Sequence, residues 1–230
     1  MHKQTRPVAI CIGAVLAAVV VAQAQQIVST GVHPISGRRY AQTMSYLGAD
    51  WLDRAERVRE EEPDIALDAL KLTPGAVVAD VGAGSGYMTI RMARLVGPTG
   101  KVYANDIQPQ MLDILRRRLE RERITNIEPV LGTFTDPRLP ANALDLILMV
   151  DVYHEFGEPQ EMLRRMREAL KPTGRLVLFE YRKEDPSIPI RPDHKMSVAE
   201  AKMEVEAEGF TLAAVDQRLP RQHILIFTKK

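Results

Sequence analysis

The 230-residue chain contains a single cysteine, Cys11, so no intramolecular disulfide framework can hold it together. Aromatic residues are scarce at 5%, and neither charge dominates: 31 Lys and Arg stand against 30 Asp and Glu, a formal +1. Such a balance gives no broad field to draw nucleic acid or an acidic surface. No apolar run reaches the ~20 residues that span a bilayer. Internal repeats and low-complexity tracts are missing too. His33, His154, His194 and His223 are scattered and form no His-Glu-x-x-His pair, so no metal site is expected. What remains, 45% apolar and 27% charged, is the composition of one ordinary globular domain. A (β/α)8 barrel, at roughly 250 residues, would fit only tightly.

Residues 1–24 read as a leader outside that domain. His2, Lys3 and Arg6 precede the apolar run Val8 to Ala22, and Ala22-Gln23-Ala24 has the small-x-small form of a signal-peptidase site. Cleavage would leave Gln25 first, and the expectation is an exported protein, periplasmic or secreted. An uncleaved leader anchoring the chain to a membrane is the alternative. Removal of residues 1–24 takes Lys3, Arg6 and Cys11 with it. The remaining 206 residues then hold 29 basic and 30 acidic side chains and no thiol. Chemistry that needs a cysteine nucleophile or a thiolate ligand is thereby excluded.

From Val77 onward short β-rich runs alternate with helix-period segments, the pattern of a parallel sheet covered by helices. Strands are predicted at Val77 to Val81, Lys101 to Asp106, Ile127 to Leu131, Leu144 to Val150, Arg175 to Tyr181, Phe210 to Asp216 and Ile224 to Thr228. Helices are predicted at Tyr87 to Val96, Gln108 to Arg123, Pro159 to Leu170 and Val198 to Glu208. Met111, Leu112, Leu115 and Leu119 fall at helical spacing, while Arg116, Arg117, Arg118, Arg121 and Arg123 make the opposite face basic, a solvated surface paired with Glu120 and Glu122. The few residues around Pro220 are too short for a crossover helix, so the last two strands must be antiparallel. The fold class is α/β: one Rossmann-like, doubly wound, seven-stranded sheet with an antiparallel last strand, in a single domain over 73–230. Gly48 to Leu72 reads as one or two helices, and residues 25–72 as a helical lid segment. Residues Tyr181 to Ser197 carry three prolines and read as a long ordered loop.

Val77-Val78-Ala79-Asp80-Val81-Gly82-Ala83-Gly84-Ser85-Gly86 is an apolar strand that runs into a glycine turn and opens a helix. Glycines there let the backbone turn sharply and let a ligand approach amides at the helix start. Asp106 follows twenty residues after Gly86 at the end of the next strand, where a carboxylate accepts bonds from a ribose diol. A dinucleotide fingerprint would place glycine where Tyr87 stands. Asp80, just before the loop, would repel a phosphate but could bind an amino group. The ligand expected is a nucleoside with a cationic amino-acid tail.

These residues resemble the class I S-adenosylmethionine-dependent methyltransferases. The resemblance covers about Gly48 to Lys230 and rests on VVADVGAGSGY, VYANDIQPQML, LDLILMVDVYHEF and LKPTGRLVLFEY. It implies S-adenosyl-L-methionine as cofactor, with Gly82, Ala83, Gly84 and Gly86 on its methionine side and Asp80 near its amino group. Asp106 would hold the ribose hydroxyls and Ile107 would lie against the adenine. Family members often carry an acid after the third strand to read the adenine amino group; here Gly132 is followed by Thr133 and Phe134, with Asp136 a substitute.

Methyl transfer from a sulfonium is an in-line displacement, so the protein chiefly aligns the acceptor and removes a proton if needed. Parallel-sheet enzymes place chemistry at the carboxyl ends of strands, and the fourth strand ends in Asp151-Val152-Tyr153-His154-Glu155-Phe156. His154 is the expected general base and Asp151 the second choice. Tyr153, Tyr181 and His194 are candidates to face the acceptor, as is Glu180. Trp51 is expected in the core. The stretch after the fourth strand lacks the Asn- or Asp-Pro-Pro-aromatic pattern of base-amino methylation. A small-molecule or lipid-like acceptor and no nucleic-acid partner are therefore expected. A cofactor-binding module without catalysis, or a nicotinamide-dependent oxidoreductase, is the alternative reading.

Overall fold

The computed structural model describes residues 31–230. The expected leader, its cleavage site and residues 25–30 lie outside the described residues. Seven strands form one sheet: β1 (Val77–Val81), β2 (Lys101–Asp106), β3 (Ile127–Leu131), β4 (Leu144–Val150), β5 (Leu170–Tyr181), β6 (Phe210–Asp216) and β7 (Gln222–Lys229). Their spatial order is β3-β2-β1-β4-β5-β7-β6. Strands β1 to β5 pair in parallel, and β7 runs antiparallel to both β5 and β6. The order reverses at β1, so the crevice beyond the carboxyl ends of β1 and β4 is the ligand position of such sheets.

The sheet's central strands are nearly continuous apolar runs because helices cover both faces. Side chains alternate between them: Leu146 and Leu148 of β4 join one core, Ile147 and Met149 the other. The first core packs under α3 (Pro63–Leu70), α4 (Tyr87–Val96) and α5 (Pro109–Glu122), and the second under α6 (Pro159–Ala169) and α7 (Val198–Ala207). On α5 the predicted stripe Met111, Leu112, Leu115 and Leu119 is buried. The basic face of α5 is ion-paired through Asp113, Asp53 and Glu122 rather than through Glu120. Ser197 and Glu200 close a capping box at the start of α7.

The predicted strands and helices are present; helix ends differ by a residue, β7 begins two residues earlier and ends one later than predicted, and two segments differ more. Strand β5 starts at Leu170 rather than Arg175, because Leu170 pairs with Leu144 beyond a register shift. The upstream segment, expected as one or two helices, is broken into a 3-10 turn (Tyr46–Gly48), α1 (Ala49–Leu52), α2 (Arg57–Glu61) and α3. Residues 31–45 form an arm that begins with a tight turn, closed by an antiparallel bridge between Val32 and Arg39, and is pinned to the domain by Arg38, whose guanidinium is buried against Glu204 (Nη2 to Oε2, 2.9 Å) and donates to the carbonyl of His154 (3.0 Å). Trp51 is not a core residue: it is 46% exposed, with the Arg54 guanidinium over its ring at 3.7 Å. Four-residue α1 is too short to bury a whole indole face, so the ring is left at the rim of the cavity described next.

Candidate active site

One cavity of about 510 Å³ opens at the carboxyl edge of the sheet, where β2, β1, β4 and β5 end side by side. The glycine loop forms part of its wall. Gly82, Gly84 and Gly86 all have positive φ (77°, 54° and 85°), which only glycine adopts readily. Gly82 and Gly84 line the cavity, and there is no room for a side chain at either: a Cβ on Gly82 would stand 2.5 Å from Val152, one on Gly84 2.8 Å from Leu52. Gly86 does other work. It starts α4 from a left-handed turn, its added Cβ would collide with Leu115 of α5, and neither it nor Ala83 lines the cavity.

Asp106, at the end of β2, accepts the Gly84 N–H (3.0 Å) and the Gln108 N–H (2.8 Å), so its carboxylate ties the glycine loop to the start of α5. Burial pushes its pKa up, against the pull of those backbone donors. Ile107, Thr133 and Phe134 line the same cavity. Asp80 does not. Its carboxylate is buried beneath the loop and accepts the Thr89 hydroxyl at 2.5 Å, and burial raises its pKa to about 6.

Beyond the loop stands a second charged group that the sequence reading did not include. Arg57 and Glu61 of α2 line the cavity as a pair (Nε to Oε2, 2.6 Å) and are both buried. Glu61 also accepts from Tyr181 (3.3 Å) and Arg54 (3.3 Å). Asp151 faces them in the cavity wall with a left-handed backbone (φ 53°). Its Oδ2 accepts from Gln222 at 2.5 Å, while Oδ1 is buried without a partner. Burial, then the charges of Glu61 and Glu180, lift the Asp151 pKa well above the carboxylate range.

The third group sits where β4 and β5 end. His154 is buried, with Nδ1 2.5 Å from Glu180 Oε2 and Nε2 3.2 Å from His194 Nδ1. Glu180 is itself held by the Tyr153 N–H (3.0 Å). Burial opposes charge on His154, but Glu180 outweighs it and leaves the imidazole above its ordinary pKa. His194 is lowered, by burial first and then by His154. Glu155 is raised to about 7, chiefly by burial, and accepts the Met44 N–H (3.3 Å). Two of the four histidines that look scattered in the sequence meet in space: among the described residues His154, Glu155 and His194 present ligand atoms within 4.8 Å of one another. Tyr153 turns away from the cavity into the second core, while Tyr181 and His194 line it.

The upstream arm and helices roof the site. Gln108 accepts the Tyr46 N–H (2.8 Å) and donates to the Met44 carbonyl (2.9 Å), and Thr43, Met44, Trp51 and Leu52 contribute to the lining.

Comparison with known proteins agrees with this geometry. Residues 78–174 match the family described as a methyltransferase domain. A protein-L-isoaspartate O-methyltransferase of Methanothrix thermoacetophila is 36% identical over 111 residues, 48% of this chain and 50% of the relative. A ubiquinone/menaquinone biosynthesis C-methyltransferase of Hahella chejuensis is 34% identical over 125 residues, 54% of this chain and 49% of the relative. The chain thus spans about half the length of the curated relatives it matches. Among solved structures, a SAM-dependent methyltransferase from Aquifex aeolicus superposes with a TM-score of 0.75 at 25% identity, covering 80% of this chain and 98% of that one. Residues 78–174 thus match a methyltransferase domain, the solved structure shares the fold of a SAM-dependent methyltransferase, and S-adenosylmethionine is the cofactor they indicate.

The residues present fit that cofactor. The cavity lies in the range of small-molecule sites. Asp106 supplies an acceptor for ribose hydroxyls, the bare glycine backbone permits close approach, and the unpartnered Asp151 Oδ1 lacks the donor that an ammonium group would bring.

Proposed function

We propose that the protein transfers the cofactor's methyl group to a small or lipid-like acceptor seated against His154, Glu155 and His194. The observation that carries this reading is the continuity of one cavity, from Asp106 and the glycine loop to those three side chains. Bound S-adenosylmethionine supplies an electrophilic methyl group on a sulfonium, and the chain's residues align an acceptor with it. Asp106 holds the nucleoside end. Asp151 takes the ammonium group, and Arg57, held by Glu61, is the available cation for the carboxylate. Asp80 supports the loop from below through Thr89. Glu180 fixes the ring of His154, so that the His154–His194 pair faces the acceptor's reacting group.

Met44, Trp51, Phe156, Met162 and Ile190 give the cavity apolar walls, which support an apolar, oxygen-bearing acceptor. The ubiquinone/menaquinone named for the Hahella relative is of this chemical kind. The arm and short helices over residues 31–72 act as a lid. Export through the leader at 1–24 belongs to the same proposal and rests on the sequence pattern alone; sequencing the mature N-terminus tests it, with Gln25 expected. Transfer of isotope-labelled methyl groups from S-adenosylmethionine to an extract, with mass-spectrometric identification of the product, tests the activity. A labelled small molecule is expected. Label confined to protein or nucleic acid would refute the acceptor class, and cofactor binding without any labelled product would leave a binding module.

A further inference from the structure

We propose that His154, Glu155 and His194 form a binding site for one divalent transition-metal ion, with an open coordination position facing the cavity. The inference builds on the methyl-transfer reading only in its purpose, which is to hold an oxygen of the acceptor. The site itself stands on geometry.

Two imidazole nitrogens and one carboxylate converge there. His154 Nε2 and His194 Nδ1 are 3.2 Å apart, and His194 Nδ1 lies 4.0 Å from Glu155 Oε1. Nitrogens at about 2.05 Å from a tetrahedral zinc ion stand about 3.3 Å from each other. The histidine pair is therefore already at the separation a shared ion requires, and the carboxylate, 4.0 Å from His194 with all three ligand atoms within 4.8 Å of one another, closes onto the same ion by a small side-chain movement.

The surroundings are those of a metal ligand. A ligating histidine usually donates its other ring N–H to a carboxylate, which fixes the tautomer and aims the free nitrogen. Glu180 makes that contact with His154 Nδ1 at 2.5 Å and is anchored in turn by the Tyr153 N–H at 3.0 Å. His154, in the 3-10 turn that follows β4, and Glu180, near the end of the adjacent strand β5, are both buried, so the ring is held in place. Glu155 is steadied by the Met44 N–H of the roof. Three protein ligands with a remaining position open to a cavity is the arrangement of catalytic rather than structural zinc sites. Two histidines with one carboxylate also suit other first-row divalent ions.

The test uses the untagged full chain with Co2+ as spectroscopic probe and Zn2+ by calorimetry, each without acceptor. One ion per chain is expected, with visible cobalt absorption that Zn2+ displaces. His194→Ala and Glu155→Gln should each weaken Co2+ binding at least 100-fold, and Glu180→Gln about 10- to 100-fold through the orientation of His154. His33→Ala, outside the cluster, should leave it unchanged. S-adenosylmethionine affinity, measured on the same variants, should stay within a few-fold of the parent, which shows that the cavity is intact. Absence of stoichiometric binding, or binding indifferent to His194→Ala, overturns the proposal. Metal bound through these residues by a chain that fails to bind S-adenosylmethionine would uphold the site and refute the methyl-transfer reading instead.

Discussion

Asp80 should make the fold lose stability as pH rises, and Asp80→Asn should abolish that loss. The carboxyl is buried, accepts one hydroxyl from Thr89, and has its pKa raised from the ordinary 3.8 to about 6. Below 3.8 both folded and unfolded chains carry the proton and Asp80 has no effect. Between 3.8 and about 6 the unfolded chain releases its proton while the folded one retains it, so stability falls with rising pH. Above about 6 the full penalty applies. At 1.36 kcal/mol per pH unit, the interval amounts to about 3 kcal/mol. Asn keeps an oxygen for the Thr89 hydroxyl but brings an amide NH2 that needs a partner, a pH-independent cost of about 1–3 kcal/mol. The diagnostic is therefore the slope, not the offset. Urea denaturation of parent and variant, repeated between about pH 4.5 and pH 8, should show Asn gaining about 2 kcal/mol on Asp across that range, the first ~1 kcal/mol of the penalty being already present at pH 4.5. A parent–variant difference that stays constant with pH would show that Asp80 ionises freely in the folded protein and would refute the reasoning.

Asp106→Ala should reduce S-adenosylmethionine affinity at least ~100-fold by calorimetry, since it removes charged hydrogen bonds worth about 1.5–3 kcal/mol each; a change under fivefold would remove Asp106 from the ribose site. His154→Ala should bind the cofactor normally and lose about 10²- to 10⁴-fold in turnover of the identified acceptor, with unchanged turnover counting against its role. Gly86→Ala should lower the melting temperature well beyond Gly37→Ala: both positions have positive φ, but only at Gly86 does the new Cβ meet a buried side chain, Leu115. Glu204→Gln, which leaves the Arg38 charge buried without its partner, should destabilise by about 3–5 kcal/mol in denaturant titration, and a loss under 1 kcal/mol would mean that the arm is not anchored there.

The strands and long helices were legible because a doubly covered sheet demands unbroken apolar runs, and Val77–Val81 and Leu144–Val150 are buried on both sides. The glycine loop and Asp106 could be read because their spacing is local. The rest of the site was not local. Arg57-Val58-Arg59-Glu60-Glu61 reads as a solvated helix, and nothing in it says that Arg57 and Glu61 are the buried members. His154 and His194 are forty residues apart and meet only because β4 and β5 are neighbours whose following loops converge. Asp80 was legible in position but not in environment: its side chain meets Thr89 beneath the loop, inside the fold rather than in the cavity. Trp51 misled through its size, since bulk suggests a core and its short helix leaves no core to enter.

The placement of β7 between β5 and β6 has a consequence for how the chain can be made. Strand β6 has β7 as its partner in the sheet, and β5 presents its far edge to β7 alone. A nascent chain halted before Gln222 would expose a long apolar strand edge carrying Leu178 and Phe179, with β6 unable to dock. Two of the seven strands, β6 and β7, therefore cannot join the sheet until residues 222–229 have left the ribosome. The segment that closes the fold is also the one whose loss would turn it toward aggregation.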